Sequence, residues 1–243
     1  MNDFRQNTID VNSRYSAFSQ EDVNRFMRGV FGWMFLGLVL SAVSAFVFLM
    51  ATVSVPLVAA NFGIIMMVLA FSTLGLVFTL SAALHRLSVA AARSMYIIYA
   101  VLTGMSLSSI FFAYELGVIA IAFVMAAVFF GIMALFGYNT QTDLTSAGRI
   151  FTAGLIAILI AIIVNFFLQS PGINYFISIG GIAVFAGLTA YDVQRLKNEF
   201  YHYAVQGGDE LVQKISIIGA LGLYLKLINM FLFILRFLGM RRD

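Results

Sequence analysis

The chain of 243 residues is 62% hydrophobic and only 10% charged, with a mean hydropathy of +0.98, well above the balance of a soluble domain of this size. It reads as an integral membrane protein. The net charge of +3 is spread over tails and connections and there are no cysteines, which argues against nucleic acid as a partner, rules out disulfides and thiolate metal sites, and leaves membrane lipid headgroups as a charged partner.

Residues 1–29 are polar and mixed in charge, with no apolar run leading to a small-residue cleavage site, so they read as a tail and the first span directs insertion. Within the tail, Ser19-Gln-Glu-Asp22 has the spacing of a helix cap ahead of an amphipathic approach to the membrane. A spanning helix needs about 20 mostly apolar residues, and seven segments qualify: Val30–Thr52, Leu57–Ala83, Ser94–Tyr114, Gly117–Gly137, Ile150–Leu168, Ile173–Tyr191 and Ile215–Leu238. No connection is long enough for a soluble domain, so residues 30–238 read as one transmembrane domain and 239–243 as a short tail. Runs such as IFTAGLIAILIAIIVNFFL are apolar on every face, unlike the in-and-out alternation of barrel strands. The expected class is all-α, a bundle of seven transmembrane helices.

Lysines and arginines near the spans set the orientation. Arg5, Arg14, Arg25 and Arg28 lie in the tail, Arg86 and Arg93 in the second connection, Arg149 in the fourth, and Arg195, Lys197 and Lys214 around the sixth; the first, third and fifth connections carry none. This places the N-terminus in the cytoplasm. Arg236, Arg241 and Arg242 near the other end run against the count, and a last segment that enters and leaves on one side is the alternative topology.

Chemistry in such a chain is sought among polar groups at membrane depth, where a charged side chain costs about 2.5–3.5 kcal/mol on insertion scales. Lys226 is the basic residue deep in a span, and Asp192 the acid that extends one inward. Glu115 and Asp143 fall in connections, and Asn165 reads as a hydrogen-bonding tie between helices. Gly219, Gly222, Lys226 and Asn229 follow helical spacing, so they share one face of the last helix. The expected loop, Asn198–Val212, puts Lys226 about 20 Å and Asp192 about 10 Å along antiparallel neighbours. A lysine stem of about 6 Å that leans toward its helix N-terminus lets the two pair.

A lysine in a seventh helix suggests a retinal Schiff base, but the third span, SMYIIYAVLTGMSLSSIFFAY, offers no acid as counter-ion. Tyr191-Asp192 resembles half of an intramembrane aspartyl protease, which needs a second aspartate in Gly-x-Gly-Asp. That motif is absent, as are HExxH and GxSxG, while His85 and His202 stand alone in connections. The chain therefore reads as a non-enzyme without a cofactor.

FAGLTAYDVQRLK, followed by LGLYLKLINMFLFILRFLG, resembles the signature end of the Bax inhibitor-1 family (transmembrane Bax inhibitor motif proteins), particularly its bacterial members. RGVFGWMFLGLVLSA and YAVLTGMSLSSIF extend the likeness over Phe26 to Phe237. The resemblance implies a seven-helix bundle around a central last helix, a pH-sensitive calcium leak, survival or stress roles, a bacterial inner-membrane location and, in some bacterial members, association with a membrane-bound protease. It attributes the leak to two aspartates on the last two helices that share a proton. Asp192 matches the first. The second belongs to an LYLDFIN pattern where this chain reads LYLKLIN, so Lys226 takes its place. For an arginine at the cytoplasmic end of the second helix, Arg86 is the candidate match.

Two neighbouring carboxylates cannot both ionise cheaply, so one holds its proton into the physiological range. A carboxylate facing an ammonium stays ionised over a wide pH range, which removes such a switch. A tethered ammonium also occupies or repels the resting place of a divalent cation. The expectation is thus a leak for calcium or other cations with altered or lost pH gating; the alternative is a non-conducting regulator that binds a partner such as a membrane protease, for which the N-terminal tail is the natural contact.

Overall fold

The computed structural model describes residues 19–82 and 87–240. Seven helices in it are long and apolar enough to cross a membrane: α1 (Gln20–Ser54), α2 (Phe62–Ala82), α3 (Val89–Leu107), α4 (Leu116–Asn139), α5 (Thr145–Leu168), α6 (Pro171–Val205) and α7 (Gly208–Gly239). Among the described residues there is no strand. The all-α membrane bundle expected from the apolar runs is the observed fold.

Helix starts follow local chemistry. Ser19 and Asp22 form a reciprocal cap: the Asp22 amide donates to Ser19 Oγ (3.3 Å) and the Ser19 amide to Asp22 Oδ2 (2.9 Å), satisfying two amides that the first turn cannot. α1 therefore begins at Gln20, well before the apolar run at Val30. Ser88 caps α3 in the same sense, its Oγ accepting from Ala91 N (3.2 Å). Pro171 occupies the first turn of α6, where its missing N–H costs nothing.

Three expected boundaries differ. The second apolar run is split: a short helix, Pro56–Ala60, ends at Asn61 before α2 starts. The third is interrupted at Ser108, whose amide is shared between the carbonyls of Gly104 and Met105, and resumes as Ile110–Ala113. The Asn198–Val212 loop is mostly helix. α6 and α7 run on from their apolar parts and meet at a break at Gly208, whose φ of 56° is open to glycine without a steric penalty. Periodicity is blind to such polar helical extensions because they carry no apolar stripe. His202 accordingly lies on the last turn of α6 rather than in a connection, and His85 falls outside the described residues.

α7 is the axis of the bundle: 61% of its apolar window is buried, against 11% for α2 and α5. Around it, α4 and α5 pack on α6 and α7, α1 packs on α3 and α7, and α2 leans on α3. α7 is a continuous helix to Gly239, so it does not turn back to the side it entered. Backbone contact joins α1 and α3 at Gly104, where an added Cβ would sit 2.6 Å from Ser41 Cα.

Candidate functional site

The last two helices set the site. Gln194 fixes the height of α6: its Nε2 donates to Thr142 O (2.7 Å) and its Oε1 accepts from Leu144 N (2.8 Å), so one buried amide clamps the α4–α5 connection. Lys197 adds a bond from Nζ to Tyr138 O (2.9 Å) and lies over the Tyr138 ring. On α7, an added Cβ at Gly219 would sit 2.8 Å from Leu196 Cδ2, which shows how closely the two helices approach.

Two turns further along α7, Lys226 forms a salt bridge with Asp192 of α6, between Nζ and Oδ2. Their side chains are only 15% and 22% exposed, so each charge is largely desolvated and depends on the other. Nζ also lies 3.4 Å from Gly222 O, one turn back on its own helix. Gly222 faces the pair without being required by it: a Cβ there would make ordinary contacts, 3.8 Å from Asp192 Oδ2 and 4.0 Å from Nζ. The lysine bends back toward its helix N-terminus, as stem length and Cβ direction predict.

A crevice of about 250 Å³ leads from the end of the bundle near the α6–α7 break to Asp192, with Arg195, Glu199, Tyr203, Gly219 and Gly222 along its walls. Arg195 Nε donates to Glu199 Oε1 (3.0 Å) and Tyr203 Oη to Glu199 Oε2 (3.3 Å). These three residues were not singled out from the sequence, yet they repeat every four residues on α6 and so share a helix face. Their spacing was the available signal.

The other candidates stand apart from the pair. Asn229 is on the same face of α7, but its Nδ2 donates to Leu225 O (2.7 Å). Thr189, one turn before Asp192 on α6, is fully buried and donates to Phe185 O (2.7 Å). Arg86 lies outside the described residues. Asn165 ties helices as expected: its Nδ2 donates to Asn174 Oδ1 (2.8 Å) and its Oδ1 accepts from Ser170 N (3.0 Å), bracing the α5–α6 turn. There Gln169 ends α5 with a left-handed φ of 50°.

A second polar cluster, invisible in the sequence, joins α1, α3 and α7. Ser41 Oγ lies 2.7 Å from Ala100 O and 2.7 Å from Tyr224 Oη, so Tyr224 donates when Ser41 gives its proton to the carbonyl. Tyr96 Oη donates to Trp33 O (2.8 Å), and the rings of Tyr96 and Tyr99 meet Tyr224 edge-on at 6.4 and 6.0 Å. The hydroxyls of Ser41, Tyr96 and Tyr224 thereby find partners inside the bundle, whereas that of Thr103 on α3 is buried without one among the described residues.

Residues 23–243 match the model of the family described as inhibitor of apoptosis-promoting Bax1. The chain is 39% identical to a protein of Rickettsia prowazekii over 97% of its own length and 98% of the relative's. It is 40% identical to a Borreliella burgdorferi protein over 90% and 94% of the two lengths. To the inner membrane protein YbhL of Escherichia coli it is 40% identical over 89% and 92%. With the family model spanning nearly all of the seven-helix bundle, and full-length relatives at this identity, the chain belongs to the Bax inhibitor-1 family of multi-pass membrane proteins.

Proposed function

We propose that the protein is an ion-leak or ion-homeostasis component of a bacterial inner membrane, its N-terminus in the cytoplasm, in which a fixed ion pair stands where the family resemblance calls for a proton-sharing pair of aspartates. The observation that carries this reading is the contact of Lys226 with Asp192, which borders a crevice also lined by Arg195, Glu199 and Tyr203. Two acids at this place would share a proton and respond to pH; an ammonium against a carboxylate has no shared proton to lose. The ammonium also covers the oxygen on which a divalent cation would rest, so calcium conduction is weak and flat with pH. The inner-membrane location follows the relative YbhL, and the orientation follows the distribution of Lys and Arg.

Calcium flux into proteoliposomes at about pH 6 and about pH 8, bracketing the range in which coupled carboxylates titrate, tests the reading with the protein as it stands and with Lys226→Asp. The native chain should give a low, pH-independent leak, and K226D a larger one that depends on pH. Identical flat traces from both would sink it. A chain that passes no cation in either form would act through a protein partner, and recovery of a membrane protease lost on deletion of residues 1–18 would identify that role.

A further inference from the structure

The other end of the bundle holds a cation that the ion pair does not use. Arg236 lies in the last turn of α7 and is half-buried; among the described residues no carboxylate or carbonyl is bonded to its guanidinium. It opposes the positive charge distribution of the rest of the chain, so its position is not explained by topology. It borders a cavity of about 320 Å³ whose other walls are Ile162, Asn165, Phe166, Gln169 and Asn174.

Beside the Gln169 amide, which offers both a donor and an acceptor, the two asparagines of that cavity turn donors toward it. Asn174 Oδ1 already accepts from Asn165 Nδ2, and Asn165 Oδ1 from Ser170 N. Both amide oxygens are engaged, which leaves the Asn174 Nδ2 hydrogens, the second Asn165 Nδ2 hydrogen and the Arg236 fork as spare donors. No acidic side chain lines the cavity among the described residues; Glu115 borders a separate space on the far side of Arg236. Such a donor set is complementary to an anion with several acceptor oxygens, and arginine meets phosphate in a bidentate manner. Phe166, Phe167 and Phe176 are 75%, 78% and 76% exposed around the same end, so the rim is a surface for acyl chains.

We propose that Arg236, Asn165 and Asn174 bind the phosphodiester of a membrane phospholipid from the leaflet at this end of the bundle. Free phosphate has the same headgroup chemistry; the apolar rim favours the lipid. Binding would brace the α5–α6 turn against the end of the central helix.

Native mass spectrometry of the delipidated full chain in detergent tests the site, with dioleoylphosphatidylglycerol, dioleoylglycerol and inorganic phosphate as separate probes. The phosphatidylglycerol should bind, dioleoylglycerol should not, and Arg236→Gln should weaken binding about tenfold or more, as for loss of a charge-assisted bond. Asn174→Asp keeps an oxygen for Asn165 but replaces the spare donor with a carboxylate, which repels the phosphate and competes for Arg236, so it should weaken binding at least as much while keeping the bond that braces the turn. Equal affinity in the native chain, R236Q and N174D would overturn the site. Inorganic phosphate binding as tightly as the lipid, with the same loss in R236Q, would overturn its assignment to lipid.

Discussion

Lys226 of α7 reaches Asp192 of α6 past Gly222, where an added Cβ would touch both charged groups only at van der Waals distance. Neither charge is well solvated, so most of the stabilisation in the contact is the avoidance of an unpaired charge. Removing one partner should therefore cost more than removing both. Lys226→Met is expected to destabilise the protein by about 1–3 kcal/mol, less than a fully buried pair because both groups retain some exposure. Asp192→Asn should do the same, and the double variant should lose less than the sum. A double-mutant cycle of unfolding in detergent reads the coupling directly; strict additivity would show that the contact contributes nothing.

The glycines of the last helices and of α3 should separate by substitution. At Gly104 an added methyl would enter the backbone of Ser41, which cannot move without shifting α1. At Gly222 it would make ordinary contacts with Asp192 and Lys226. Gly104→Ala is expected to cost about 1–3 kcal/mol by overpacking, and Gly222→Ala to stay within about 0.5 kcal/mol. Thermal melting in detergent decides it; equal losses at the two positions would place a tight wall at Gly222 that the bundle does not show.

Much of this was legible in the residue order, for a physical reason. Membrane depth leaves an apolar run of fixed length in the sequence, so all seven spans could be read. Lys226 and Asp192 stood out because ionisable groups there are costly, and helical spacing with stem length allowed their pairing. The start at Gln20 was marked by the Ser19–Asp22 cap spacing rather than by hydropathy, while the breaks at Asn61 and Gly208 were not readable, since polar turns obey local hydrogen bonding. The cluster of Ser41, Ala100 and Tyr224 brings three helices together. No spacing along the chain encodes such a contact.

That cluster should behave as a unit. Tyr224→Phe removes the hydroxyl that meets Ser41 Oγ, and Ser41→Ala removes the bridge to Ala100 O. Each is expected to cost about 1 kcal/mol, the usual net value of a hydrogen bond, with the pair together losing less than the sum because the two share one bond. Unfolding of the two single variants and the double variant measures this. A fully additive result would show that the tyrosine and serine find other partners.

Asp143, in the α4–α5 connection, accepts a hydrogen bond from the Thr145 amide at 2.9 Å. Hydrogen bonding by the Thr145 side chain and then by its backbone, with a smaller contribution from Arg149, holds its carboxyl below the usual carboxylate value. Because the folded-state value is depressed, the stabilisation is present above the unfolded value of about 3.9 and is lost as pH falls through the folded one. Thr145→Val deletes the hydroxyl and keeps the amide. It should raise the Asp143 titration midpoint toward the ordinary value, read by carboxyl carbon NMR, while the start of α5 melts at higher pH than in the native chain. A midpoint that does not move would mean that the amide alone sets the acidity of Asp143.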